Sequence, residues 1–260
     1  MPPHIGHEYL ISLACELADE TSVFVAHPFH PNSEMPSTLR AQWLQAHFGS
    51  AIAVHCPPEG TRAEVSTREA IRRGREYFDA LRGDRMPDVL VGADNHTRFF
   101  AYMMGIKAIV PNTILMTRAT QIRAHPLAHW DQILPPAHPF FLNEAIFIAA
   151  TARRRRIAAI ASDAGVISLD LTTLPPQHVS ASLAAVRRVA RRGLVIMLNA
   201  EQVSAGLLDP IANGPNCPRY RKAYVLGHES LSHQGMQVEM TAALSDDDVR
   251  GVIDRLLVDQ

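Results

Sequence analysis

Asp88-Val89-Leu90-Val91-Gly92-Ala93-Asp94-Asn95-His96-Thr97, running on to Met104-Gly105-Ile106-Lys107-Ala108-Ile109-Val110, is the stretch whose reading decides the fold. Asp88 to Val91 reads as a strand, Thr97 to Met104 as a helix, and Lys107 to Val110 as a second strand. The same alternation holds on either side. Upstream, Gly6 to Asp19 places Ile11, Leu13, Ala14, Leu17 and Ala18 on one face of an amphipathic helix. A β-prone run, Ser22 to Ala26, follows it. Ser37-Thr38 then suits the N-cap of a helix from Leu39 to Phe48, and Ala51 to Val54 reads as a buried strand. Thr67 to Leu81 reads as a charged helix. Strands alternating with helices predict an α/β fold with a parallel sheet covered on both faces.

The alternation pauses at Pro135-Pro136-Ala137-His138-Pro139 and then resumes. Strands are expected at Ala145 to Ala149, Val166 to Leu171, Leu194 to Leu198 and Ala223 to Leu226. A helix is expected from Pro176 to Arg192, and another from Val249 to Leu257, capped by Ser245 with Asp246 to Asp248 at its positive end. The expected organisation is therefore two α/β domains, residues 1–140 and 141–260.

Bulk properties narrow the function classes. The 260 residues carry a net charge of −1, with 47% hydrophobic and 20% charged side chains. That balance suits a globular chain and gives no global attraction to nucleic acid or an anionic membrane. Cys15, Cys56 and Cys217 stand far apart, with neither metal-ligand spacing nor a disulfide framework. The apolar runs are too short to span a bilayer, and Met1-Pro2-Pro3-His4 does not open a signal peptide, so a cytoplasmic location is expected. The oligomeric state stays open, a homo-oligomer included.

Three segments carry chemistry. His4-Ile5-Gly6-His7 stands directly before a helix, whose start exposes backbone N–H groups that suit a polyphosphate. Gly6 allows close approach, and the two imidazoles can donate to phosphate oxygens; the plainer reading is a surface pair of histidines. Thr117-Arg118-Ala119-Thr120-Gln121-Ile122-Arg123 places Arg123 on the first turn of a helix, where hydroxyls and a guanidinium can clamp phosphate. Standing alone, the segment reads rather as a solvated helix start with routine capping. Gly92 to His96 lies at the carboxyl end of a strand, the edge where open α/β sheets bind ligands. Asp94 there could accept from a ribose or cap the helix that follows. The run Arg153 to Arg156 could bind phosphate or line a solvated helix face.

Taken together, these residues resemble a known family. His4-Ile5-Gly6-His7 is similar to the end of the G-x-F-x-P-x-H-x-G-H signature of cytidylyltransferase-like nucleotidyltransferases. Thr120-Gln121-Ile122-Arg123-Ala124-His125-Pro126-Leu127-Ala128-His129-Trp130, with Leu134-Pro135 and Pro139-Phe140-Phe141 behind it, resembles the NadR-like nicotinamide-nucleotide adenylyltransferases. Leu39-Arg40-Ala41-Gln42-Trp43-Leu44 resembles that family's L-R-x-x-W-L helix. The likeness covers roughly residues 2–142.

The resemblance implies a Rossmann-like parallel-sheet nucleotidyltransferase domain followed by a second, smaller α/β domain. It implies condensation of ATP, with Mg2+ on its phosphates, and nicotinamide mononucleotide to NAD and pyrophosphate. His4, His7 and Arg123 would be the catalytic groups. Gly6, Arg118, Thr120 and Asp94 would bind ATP and its phosphates, and Trp130, Trp43 and Arg40 would bind the mononucleotide. No metal held by protein ligands is implied. The chain departs from the family in two places. The opening strand and G-x-F are not in it, which leaves open whether the true start lies upstream of Met1, and Arg118 stands where the family has Ser. In bifunctional relatives a P-loop kinase follows the P-F-F segment. No G-x-x-x-x-G-K-[ST] occurs here, so the second half is expected to be at most a degenerate kinase-like unit without kinase activity. Two alternatives remain: another adenylyl- or cytidylyltransferase of the same fold, and a non-catalytic NAD- or nucleotide-sensing regulator.

Overall fold

The computed structural model describes residues 2–25, 35–56, 87–111, 119–191, 193–204, 206–207, 211, 223–226, 237–238 and 245–257. The expected helix Thr67 to Leu81, most of the loop from Pro28 to Pro36, and Arg118 lie outside them. The chain divides into two compact units, Met1–Arg123 and Ala124–Gln260.

In the first unit, α1 (Ile5–Leu17) leads into β1 (Ser22–Phe24), α2 (Ser37–Phe48) and β2 (Ala53–His55). β1 and β2 pair in parallel, with Ser22 opposite Ala53 and Phe24 opposite His55. β3 (Val89–Val91), α3 (Asn95–Met104) and β4 (Lys107–Ile109) repeat the strand–helix–strand pattern, with Val89 opposite Lys107 in a second parallel pair. A short helix, α4 (Ala119–Ala124), ends the unit. The α/β reading with parallel pairing therefore holds.

Two local expectations are corrected. Ser37 is the first residue of α2, and Pro36 takes the N-cap position without a capping side chain. Its ring fixes φ near the observed −60°, which directs the chain into the helix unaided. The apolar face proposed for α1 also breaks at its end: Ile11 is buried, but Leu17 is 52% exposed. The helix stops there, because Ala18 is already extended at φ −143° and ψ 147°.

The second unit is built on a five-stranded sheet. β5 (Asn143–Ile148), β6 (Ile167–Asp170), β7 (Gly193–Leu198), β8 (Ala223–Leu226) and β9 (Gln237–Val238) lie in the order β6-β7-β5-β8-β9, every pair parallel. β7 is buried along its whole length and β5 from Glu144 onward, so both faces are covered. On one face Ala145, Phe147, Val195 and Met197 meet Ile157, Ile160 and Ala161 of α6 (Thr151–Asp163) and Val249, Val252, Ile253 and Leu256 of α9 (Asp246–Leu256). The Asn143 side chain adds a bond of 3.0 Å to Leu256 O.

On the other face α7 (Pro176–Val189) brings Arg187 to Glu144. Nε donates to Oε1 at 2.6 Å and one terminal nitrogen donates to Oε2 at 3.0 Å, both side chains being essentially without solvent. Two short helices, α5 (His138–Phe141) and α8 (Ala200–Ser204), complete the α-helices among the described residues. Ser245 and Asp248 close α9 with a reciprocal cap, as the Ser245 reading expected. Helix α7 ends at Val189, where Ala190 turns extended, rather than at Arg192. No helix among the described residues is long and apolar enough to cross a membrane.

Candidate active site

α1 opens with a cap built from imidazoles. His4, in extended backbone at the N-cap, accepts the Gly6 N–H on Nδ1 at 3.1 Å, and His7 Nδ1 accepts the His4 N–H at 3.2 Å. Two of the helix's otherwise unpaired donors are thereby satisfied. With each Nδ1 accepting, each neutral ring must carry its proton on Nε2. The rings lie 3.9 Å apart, tilted by 43°.

Burial pulls the His4 imidazole down to about 4, with the charged chain terminus adding to it. The His7 imidazole falls to about 3, through burial first and then the nearby His4, the terminus and the Arg40 guanidinium. Near neutral pH both are uncharged N–H donors. Gly6 is required for this arrangement, since a Cβ on it would stand 2.9 Å from His4 Cε1 and 3.0 Å from Nδ1.

Arg40, on the first turns of α2, is thus brought into the electrostatic field of His7. Burial lowers its own pKa, with Cys56 opposing, but a guanidinium keeps its charge in water-like pH ranges. Cys56 Sγ donates to Ser37 O at 3.4 Å. Burial pushes its thiol up against the pull of Arg40, so it is no nucleophile. Trp43, further along α2, is a core residue with 8% exposure.

Asp94 caps α3: its Oδ1 accepts from the Thr97 N–H at 3.1 Å and the Thr97 hydroxyl at 3.3 Å, and its Oδ2 lies 3.3 Å from His96 Nδ1. Burial works to raise its pKa, yet the bonds from Thr97 and His96 together hold it below the ordinary carboxylate value. Gly92 is needed beneath it, because a Cβ would meet Thr97 Oγ1 at 2.1 Å.

Thr120 and Arg123 are exposed on α4. Arg123 occupies the last turn of that six-residue helix rather than the first, a correction with a local cause. Pro126 has no N–H and disfavours helical backbone in His125, so the helix cannot run past Ala124. Trp130 lies in the second unit, 5% exposed, with its ring stacked on His138 at 4.5 Å and 29°. His138 Nε2 lies 3.2 Å from Trp130 O and 2.9 Å from Ile133 O, and its pKa is lowered, mainly by burial. One face of the indole is thus covered by this imidazole.

The arginine run lies on α6, a helix that the sequence reading did not place, and three of its four members serve carboxylates. Arg153 and Arg156 clasp Asp246 at 2.6 and 2.7 Å, and Arg154 reaches Asp170 at 3.1 Å. The Glu144–Arg187 pair also escaped the sequence reading, because nothing local marks two charges 43 positions apart as partners. Among the described residues no group of three or more His, Cys, Asp or Glu side chains is assembled to hold a metal. Chemically, the cluster at the head of α1 offers two preorganised neutral donors and a nearby guanidinium. That set stabilises oxyanions without exchanging protons.

Among the solved structures that match nearly the whole chain are two of NadR. A crystal structure of NadR protein in complex with NR shares 15% identity at a TM-score of 0.60, covering 98% of this chain and 83% of that one. A crystal structure of NadR protein in complex with NAD and AMP-PNP shares 14% identity at a TM-score of 0.62, covering 97% and 91%. The chain has a NadR-like fold. No protein-family model matches it, and no curated protein does. The NadR-like fold extends over both units, so the second half of the chain belongs to the likeness as much as the histidine-bearing first half.

Proposed function

We propose that this chain is a nicotinamide-nucleotide adenylyltransferase, condensing MgATP with nicotinamide mononucleotide to give NAD and pyrophosphate. The observation that carries the reading is the pair of tautomer-locked, uncharged imidazoles at the start of α1, with Arg40 in their field. It is supported by a fold shared with a NadR protein whose crystal structure holds NAD and AMP-PNP.

In this reaction a phosphate oxygen of the mononucleotide bonds to the α-phosphorus of ATP while the bond to the β-phosphate oxygen breaks. The electron pair leaves on pyrophosphate. No side chain need become covalently attached, and no proton must move in the bond-making step at neutral pH. What the protein supplies is alignment and charge stabilisation. His4 and His7 Nε2–H would donate to the polyphosphate oxygens as charge shifts onto the leaving group. Arg40 would balance the phosphate of the mononucleotide. Arg123 and Thr120, exposed on α4, would add the phosphate clamp implied by the resemblance. Asp94, whose oxygens are engaged by Thr97 and His96, would accept from a ribose hydroxyl on a remaining lone pair of Oδ2. Magnesium enters as MgATP, held by the substrate's own phosphates.

The test supplies ATP, magnesium and nicotinamide mononucleotide and follows NAD through a coupled dehydrogenase. NAD formation that requires magnesium is the expected result. Folded protein that gives no product above the enzyme-free control would remove the reading.

A further inference from the structure

The second unit presents the feature that in a parallel α/β sheet marks a ligand site. Its chain leaves β5 towards β6, passing β7, and leaves β7 towards β8, passing β5. The connections after these two adjacent strands diverge, and a crevice opening there at the carboxyl edge is where such sheets seat phosphate-bearing ligands. Here that edge is bridged by the protein's own side chains.

Only Ala149 and Ala150 separate β5 from α6, and the Ala149 N–H is already bonded to Leu198 O at 2.9 Å. Two such residues supply no cradle of converging N–H groups. In front of them lies the Arg154 guanidinium, with the side chain 9% exposed. It donates to Ala149 O at 2.7 Å, to Thr151 Oγ1 at 3.2 Å and to Asp170 Oδ2 at 3.1 Å. All three of its nitrogens are engaged, and it ties the end of β5 to the end of β6. Asp170 is held by Thr172 as well, through the N–H at 3.0 Å and the hydroxyl at 2.6 Å.

A second bridge lies beside the first. Gln202, at the head of α8, donates to Leu171 O at 2.8 Å, and it exchanges bonds with Asn199 through both backbone N–H groups, at 2.8 and 3.2 Å. It joins the end of β7 to the turn after β6. Arg153 and Arg156, the other charges near the head of α6, are turned onto Asp246.

We propose that the second unit is a closed scaffold, in which the Arg154 side chain stands where a phosphate-bearing ligand would sit, so that this unit takes no nucleotide of its own. Nucleotide binding by the first unit rests on the adenylyltransferase reading; the closure of the second unit does not.

Equilibrium dialysis of the full chain with magnesium and AMP-PNP, a non-hydrolysable ATP analogue, decides it. One analogue per chain is expected for the parent protein. A variant carrying His4→Asn and His7→Asn should lose that binding at least tenfold, and Arg154→Met should leave it within twofold. Two analogues per chain would overturn the proposal. So would binding that survives the histidine changes and falls tenfold in Arg154→Met, because Arg154 would then be gripping phosphate. No binding by folded parent protein would sink the adenylyltransferase reading while agreeing with a closed second unit. Should Arg154→Met not fold, the neutral Arg154→Gln serves the same arm, and the parent stoichiometry stands by itself.

Discussion

His7 does two things with two nitrogens, and a substitution can take one at a time. Asn places an acceptor near the position of Nδ1, so His7→Asn should keep the bond from the His4 N–H and lose the Nε2 donor. Turnover should fall by about a hundredfold to a thousandfold while stability holds, the usual cost of removing one preorganised donor. Gln reaches further and can replace the Nε2 donor but not the near acceptor. His7→Gln should therefore retain more turnover and lose about 1 kcal/mol of stability with the cap. Steady-state kinetics beside thermal melts separate the two, and equal turnover in both variants would return His7 to a purely capping role. Titration gives an independent reading. Both imidazoles are near 6.5 in the unfolded chain and fall to about 4 and about 3 in the fold. Groups depressed in this way contribute stability that is complete above pH 6.5 and is lost as pH falls from there towards 3, since only the unfolded chain takes up protons in that window. Urea unfolding at pH 7, 6 and 5 should show this decline, with a shallower slope in His7→Asn. A slope unchanged by the substitution would mean that His7 is not the partly buried, neutral group described. Gly6 and His4 to His7 were legible because the motif is local: a helix start, a glycine and two rings within four positions. The occupied face of Trp130 was not, because His138 reaches it across an irregular turn that no periodicity marks.

Elements were read well where period and burial agree. β5 and β7 are short apolar runs, and the sheet buries them on both faces. Helix α6 went unplaced because Arg153 to Arg156 interrupts any apolar stripe with four charges. Arg154 is buried there only because Asp170 and Ala149 O receive it, and partners from other elements leave no trace in local sequence. The same holds for Glu144 on β5 and Arg187 on α7. Removing one member of a buried pair strands the other charge, so Arg187→Met should cost about 3–5 kcal/mol. Glu144→Leu combined with Arg187→Met removes both charges and should recover most of that loss. Chemical denaturation of the parent, both single variants and the double variant closes the cycle. A double variant no more stable than Arg187→Met alone would show that the geometry of the pair, and not its charge balance, holds α7 on β5.

At the scale of the whole molecule, the alternation of strands and helices was enough to reach the parallel α/β class, and the motif string led to the NadR-like fold that both solved structures share. Strand order was beyond it. The sequence β6-β7-β5-β8-β9 depends on which strands meet across long connections, and the two bridges that close the carboxyl edge depend on that order in turn. The packing of α9 has a consequence for how this protein is made. Val249, Val252, Ile253 and Leu256 complete the face of the sheet formed by β5, β7 and α6, and Asp246 engages Arg153 and Arg156 of the same helix. On a ribosome, the greasy side of Ile157 and Ile160 therefore emerges long before its cover, by on the order of ten seconds at ordinary elongation rates. Through that interval the nascent chain is a client for holding chaperones and a target for proteases. Yield in the cell should then follow the speed with which the codons between Asp163 and Asp246 are read.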